Sequence, residues 1–226
     1  MKKIWVHSLF ILLFGCSVNA SAGTSRTIIA VWDFDNTSFM DIAAWDYLTK
    51  ALPEILMTQL VSSPSLEVVE RLHLREIMEE QKLGSSDLAD QDTKIRLAKI
   101  MGARFMIFGA FMVIGEDSRV DVRLVDTATS EVLLAEKFDG NIGEMIPGMQ
   151  TITTQFVAYL GAKPAEDAKA GVDVAQWKEY EKGLALIDEK QYEAALGVFQ
   201  GVLEKDPGFY AAEKQVRLIL DLMSRQ

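Results

Sequence analysis

Residues 103–138 read ARFMIFGAFMVIGEDSRVDVRLVDTATSEVLLAEKF, and their pattern decides the fold class. Ala103 to Ile114 is a long apolar run and reads as a strand. Arg119 to Asp126 then alternates, with Val120, Val122 and Leu124 pointing inward, and Glu131 to Phe138 forms a third strand. Asp126-Thr127-Ala128-Thr129-Ser130 has turn composition and joins the last two strands as a hairpin. Strict alternation means that one face of this half of the sheet is wet, which predicts antiparallel pairing.

Upstream, Thr27 to Phe34 reads as a first, buried strand. Trp45, Leu48, Leu52, Ile55, Leu56, Gln59 and Leu60 recur at helical spacing, with Pro53 predicting a kink or a fresh helix start. Ser62-Ser63-Pro64-Ser65 ends that helix before a second strand, Leu66 to Glu70. Residues 68–84, VVERLHLREIMEEQKLG, then turn abruptly into a helix that puts Leu74, Ile77, Met78 and Gln81 on one face and stops at Gly84. Glu70 and Arg71 read as residues that fix this strand-to-helix corner. Asp92 is the expected N-cap of a helix over Thr93 to Met101, with Gly102 as its stop. A last helix, about Ile142 to Leu160, covers the sheet. The order β-α-β-α-α-β-β-β-α predicts an α/β fold with helices packed on a mixed sheet.

The 226 residues are 49% apolar, which suits globular packing, and a net charge of −10 leaves no basic stripe for nucleic acid. His7 and His73 are the two histidines, and Cys16 is the single cysteine. Zinc sites, Cys–His nucleophiles and Ser–His–Asp triads are nearly excluded by that inventory, and no cofactor is expected.

Met1-Lys2-Lys3 followed by the apolar run Ile4 to Phe14 has the form of a secretory signal, too short to span a bilayer. Two cleavage sites compete. Leu13-Phe14-Gly15-Cys16 resembles a bacterial lipobox, in which Cys16 becomes a lipid anchor and residues 1–15 are removed; Phe14 stands where a small residue is usual. Ala20-Ser21-Ala22 offers ordinary cleavage after residue 22. The lipoprotein is preferred, because a lone cysteine straight after the apolar run otherwise has no job. Ser17 after it suits the outer membrane by analogy with bacterial lipoproteins.

At the other end, residues 162–171 have linker composition. Beyond them, over residues 172–226, Gly183, Tyr192, Ala195, Phe199 and Pro207 fall at the spacing of a tetratricopeptide repeat. Small Gly183 and Ala195 allow two helices to approach, and Phe199 fills the groove between them. A third stripe, Val216, Ile219, Leu220 and Met223, resembles a cap helix. A small all-α helical domain therefore follows the α/β domain, and one repeat this short should brace against something larger or bind a peptide.

The α/β domain, residues 23–161, resembles the curli-secretion (CsgG) family and the related N-terminal domain of TolB. The likeness covers about residues 27–140. It rests on IAVWDFDNT at 29–37, on the 68–84 stretch with its Glu70-Arg71 and Glu80-Gln81 pairs, on MGARFMIFGA at 101–110 and on VDVRLVDTATSEV at 120–132. The resemblance implies an exported envelope protein, periplasmic and anchored at the outer membrane, that assembles or interacts instead of catalysing. Its implied partners are other envelope proteins or further copies of itself, and it touches membrane only through the lipid. The family also implies a pore subunit as an alternative. Residues 103–138, however, hold only enough strand for the domain's own sheet, and Asp117, Arg119, Asp121 and Arg123 would face lipid badly.

One enzyme alternative stands beside it. Asp33-Phe34-Asp35-Asn36-Thr37 matches the D-x-D-x-T of haloacid-dehalogenase-type phosphatases, in which the first aspartate attacks phosphorus, the second handles a proton and both hold Mg²⁺. That chemistry also needs a lysine and a further acidic pair, for which Gly115-Glu116-Asp117 is the available stretch. Five-residue patterns of this kind recur by accident, and the simpler reading of Asp33, Asp35 and Asn36 is a polar turn leaving a strand.

Overall fold

The computed structural model describes residues 26–69, 77–78, 80–81, 90–162 and 174–224. Strands β1 (Thr27–Val31), β3 (Leu66–Val68), β4 (Phe105–Ile114), β5 (Asp117–Asp126) and β6 (Val132–Asn141) form one sheet in the order β3-β1-β4-β5-β6. A two-residue strand, β2 (Asp35–Asn36), lies off this path beside β4. β1 runs parallel to β3 and β4, while β4, β5 and β6 are antiparallel, so the sheet is mixed.

The burial of β4 explains its unbroken apolar run. Helix α2 (Leu48–Val61) and helix α4 (Met145–Tyr159) cover one face, where Val120, Val122 and Leu124 of β5 are fully buried. Helix α3 (Gln91–Ile100) lies on the other face, where Ile95 and Ala98 share a cluster with Ala30, Val69, Met106, Phe108 and Val125. β4 is thus enclosed on both sides over its first half, and in its second half Ala110, Met112 and Ile114 reach partial or full exposure. The alternation in β5 is the pattern of a strand with one covered face.

Several boundaries differ from the sequence expectation. Asp90, not Asp92, caps α3: its carboxylate accepts the Asp92 and Thr93 amides at 3.3 and 3.1 Å, which leaves Asp92 in the first turn. The Thr93 hydroxyl, then the Asp92 amide, holds the Asp90 carboxyl below its ordinary value of 3.8. A depressed folded-state pKa means that the cap's contribution is complete above the unfolded value and is lost as pH falls through the folded one. Asp90→Asn is expected to keep the cap and abolish that acid-side dependence, which pH-dependent unfolding of the two proteins would read.

Pro53 sits within α2 and starts no new helix. Its missing N–H leaves the Thr49 carbonyl available, and the Phe34 amide takes it at 2.9 Å. A short helix α1 (Ile42–Trp45) precedes α2. β3 is described only as Leu66–Val68, and β6 runs on to Asn141, three residues past Phe138, before a 3-10 turn at Ile142–Glu144 opens into α4. Gly102 does end α3, with φ near +73° and its amide on the Lys99 carbonyl.

Helices α5 (Val174–Asp188), α6 (Tyr192–Lys205) and α7 (Tyr210–Ser224) form the C-terminal region. Their apolar residues continue the same core cluster that α2 and α4 build on the sheet.

Candidate functional site

Two places gather the residues that the sequence singled out. The first is the chain leaving β1. Phe34 is buried, and its ring lies flat on Gly109 of β4, so closely that no Cβ could stand there. Two of the polar residues after it, Thr37 and Ser38, stitch this segment to β4. The Thr37 amide and hydroxyl both donate to the Phe111 carbonyl at 2.8 Å, and the Ser38 hydroxyl accepts the Val113 amide at 2.9 Å. Asn36 accepts the Ser38 amide at 3.1 Å and donates to the Ile42 carbonyl at 3.2 Å.

Asp35 projects into solvent, its side chain 71% exposed, with Lys94 Nζ at 3.9 Å. Lys94 reaches there from α3, lying 5.4 Å above the Trp32 ring. Sequence reasoning did not select Lys94; a lysine on the covered side of an amphipathic helix was the available signal. Glu116 and Asp117 are not brought to this place. Asp35 pairs in register with Ala110, five residues short of Gly115, about 16 Å along an extended strand. Among the described residues no group of three His, Cys, Asp or Glu is placed to hold a metal.

The second place is the helical region. Tyr180 and Phe199 ring centroids lie 5.4 Å apart, Trp177 and Phe209 4.8 Å, and the Phe199 ring fills the space that a Cβ at Gly183 would need. Ala195 is fully buried, Tyr192 is half-buried, and Pro207 lies exposed in the turn between α6 and α7. Phe199 thus packs against Gly183 and Tyr180, with Phe209 and Gln215 joining from residues that the repeat spacing did not select.

This unit meets the α/β part at α2. Lys50 bridges Glu181 and Asp188 of α5 at 3.3 and 3.5 Å, and Lys178 lies 5.1 Å over the Tyr47 ring. From α7, Lys214 reaches Glu54 at 3.7 Å, where both side chains are nearly buried. The N-terminal half of α2 thus contacts α5 and α7.

Of the other expected positions, Glu80 and Gln81 are exposed, with the Gln81 amide on the Ile77 carbonyl at 2.9 Å. Cys16, Glu70 and Arg71 lie outside the described residues.

Residues 17–119 match the family model of the curli production assembly/transport component CsgG. This part of the chain is CsgG-like. The match begins at the residue after Cys16, covers just under half of the chain and stops within β5, short of β6, α4 and the helical region. A CsgG-like α/β fold fits an envelope interaction module. None of the curated proteins compared matches the chain.

Among solved structures, the LpoB C-terminal domain from Escherichia coli is 16% identical, over 55% of this chain and 89% of that one, with a TM-score of 0.42. TolB from Acinetobacter baumannii is 13% identical, over 64% of this chain and 30% of that one, with a TM-score of 0.41. A lipoprotein from Neisseria meningitidis is 14% identical, over 59% and 99%, with a TM-score of 0.38. Likeness at this level says nothing of what the chain binds. Among the described residues, no helix is long and apolar enough to cross a membrane.

Proposed function

We propose that the chain is an exported, non-enzymatic protein of the cell envelope, periplasmic and held at the outer membrane by a lipid on Cys16. Its work is interaction in assembly, secretion or regulation of an envelope machine. The observation that carries this is the CsgG match over residues 17–119. In this layout residues 1–15 (or 1–22) are signal, 23–161 the CsgG-like domain, 162–171 a linker and 172–226 a tetratricopeptide-like unit. Glu70, Arg71, Glu80 and Gln81 serve the fold of the motif that contains them. We assign the helical unit a bracing role, because α2 already contacts α5 and α7 through Lys50, Glu54 and Tyr47.

Lipidation predicts a mature mass with a diacylglycerol-type increment and co-fractionation with outer membranes, both lost in Cys16→Ser. A mature N-terminus at Gly23 would refute the anchor. The non-enzymatic reading predicts no Mg²⁺-dependent turnover of an aryl phosphate; turnover that Asp33→Asn abolishes would overturn it. The bonds of Thr37 and Ser38 to the β4 backbone, and of Asn36 to Ser38 and Ile42, support a structural use of that motif. A pore is disfavoured because β4, β5 and β6 pair along their lengths within the domain's own sheet, and predicts detergent-stable rings that a detergent-solubilised monomer would exclude.

A further inference from the structure

β6 is the last strand of the sheet, ten residues long and free of proline, and among the described residues no backbone hydrogen bond reaches its outer edge. Which groups it offers there follows from the ladder. The Ile142 amide donates to the Glu116 carbonyl at 2.8 Å, directly opposite in the β5–β6 register, so this is a hydrogen-bonded pair. Such pairs alternate along an antiparallel ladder. Gly140, Phe138 and Glu136 therefore turn their backbone groups toward β5. Asn141, Asp139, Lys137 and Ala135 turn theirs outward, to an edge that no described strand pairs.

Charges on an edge strand ordinarily keep other strands away. Here they alternate in a self-complementary way. Lys137 and Asp139 stand two apart on the same face, 60% and 48% exposed, and pair with each other at 2.7 Å. A second copy laid antiparallel about a two-fold axis through Phe138 places Lys137 opposite the second copy's Asp139, twice over. Axes through neighbouring residues do not: one through Lys137 opposes two lysines, one through Asp139 opposes two aspartates, and one through Glu136 sets Lys137 against alanine.

The axis through Phe138 also suits the backbone. Phe138 faces its copy as a non-hydrogen-bonded pair, with Cα atoms about 4.5 Å apart. Lys137 and Asp139, whose backbone groups point outward, exchange the hydrogen bonds on either side.

The flank of the covering helix agrees. From Met145 to Tyr159, α4 carries no charged residue, in a chain of net charge −10. Gly148 packs on Phe138, which sets the stripe Gly148, Thr151, Gln155 and Tyr159 beside the β6 edge, with Tyr159 51% exposed. An uncharged flank next to a self-complementary edge fits a second copy of this chain.

We propose that the β6 edge is a homodimer interface, in which two copies pair antiparallel about Phe138 and join their sheets. This does not rest on the envelope reading above and can fail separately from it.

Sedimentation equilibrium on the purified mature protein tests it. The wild type is expected to dimerise in the micromolar range or tighter. Lys137→Asp leaves two aspartates and D139K two lysines on that face of the edge; each alone is expected to weaken self-association at least about tenfold, since like charges then face each other. Both positions are exposed, but Asp139 also lies 3.6 Å from Arg119 and Lys137 stands opposite Asp121 in the β5–β6 register, so the melting temperature of each variant is measured alongside its self-association. Mixing the two variants is expected to restore a heterodimer, and the double charge swap to restore the homodimer. A wild type that stays monomeric, single variants that dimerise like the wild type, or a mixture that does not reassociate would each overturn the proposal.

Discussion

Replacing Phe34 with alanine is expected to destabilise the protein by about 3–5 kcal/mol, the range for removing a large buried aromatic side chain. The ring is 2% exposed and lies on Gly109, a position that is glycine because the ring occupies the place of its Cβ. No side chain at residue 109 can refill the space without rebuilding, and the Phe34 amide also satisfies the carbonyl that Pro53 leaves open in α2. One residue thus ties the chain leaving β1 to β4 and to α2. Equilibrium unfolding in urea would measure the loss. Asp35→Asn in the same assay is expected to change stability far less, because that carboxylate is 71% exposed, which separates the fold-building ring from the exposed carboxylate of the D-x-D-x-T stretch. A Phe34→Ala protein as stable as the wild type would contradict this account of the motif.

The second large effect is expected at Phe199. It is fully buried among Tyr180, Gly183 and Ala195, and truncation to alanine should again cost about 3–5 kcal/mol. The distribution of the loss is the informative part. Residues of α5, α6 and α7 belong to the same continuous core cluster as α2 and α4, and the Lys214–Glu54 and Lys50–Glu181 contacts cross between them. Unfolding of the wild type is therefore expected as one transition by tryptophan fluorescence and by circular dichroism. Phe199→Ala should split it, with the helical region melting first. A wild type that already unfolds in two steps would show that the contacts with α2 do not couple the parts.

The sheet was legible because its local signals agree. Alternation in Val120, Val122 and Leu124 reports one covered face, and Thr127 to Ser130 has the composition of a tight turn; both depend only on neighbours in sequence. Helix starts were less legible. Asp90 and Asp92 are equally good capping residues by type, and only the path of the backbone selects the one whose carboxylate meets two amides. Pro53 read as a break, because the partner that takes the Thr49 carbonyl lies across the core in Phe34.

The candidate sites divide in the same way. The sequence alone determined the mixed α/β class, the helical addition, the CsgG resemblance and the scarcity of catalytic side chains, since composition and periodicity are properties of the chain itself. Only the tertiary structure decided what Asn36, Thr37 and Ser38 do, that Lys94 reaches Asp35, and that α2 contacts α5 and α7. It also decided that β6 comes last among the described strands, with Lys137 and Asp139 two apart on one face of its edge. Each of these depends on which distant segments fold against one another, and side-chain spacing along one strand or helix carries no record of that.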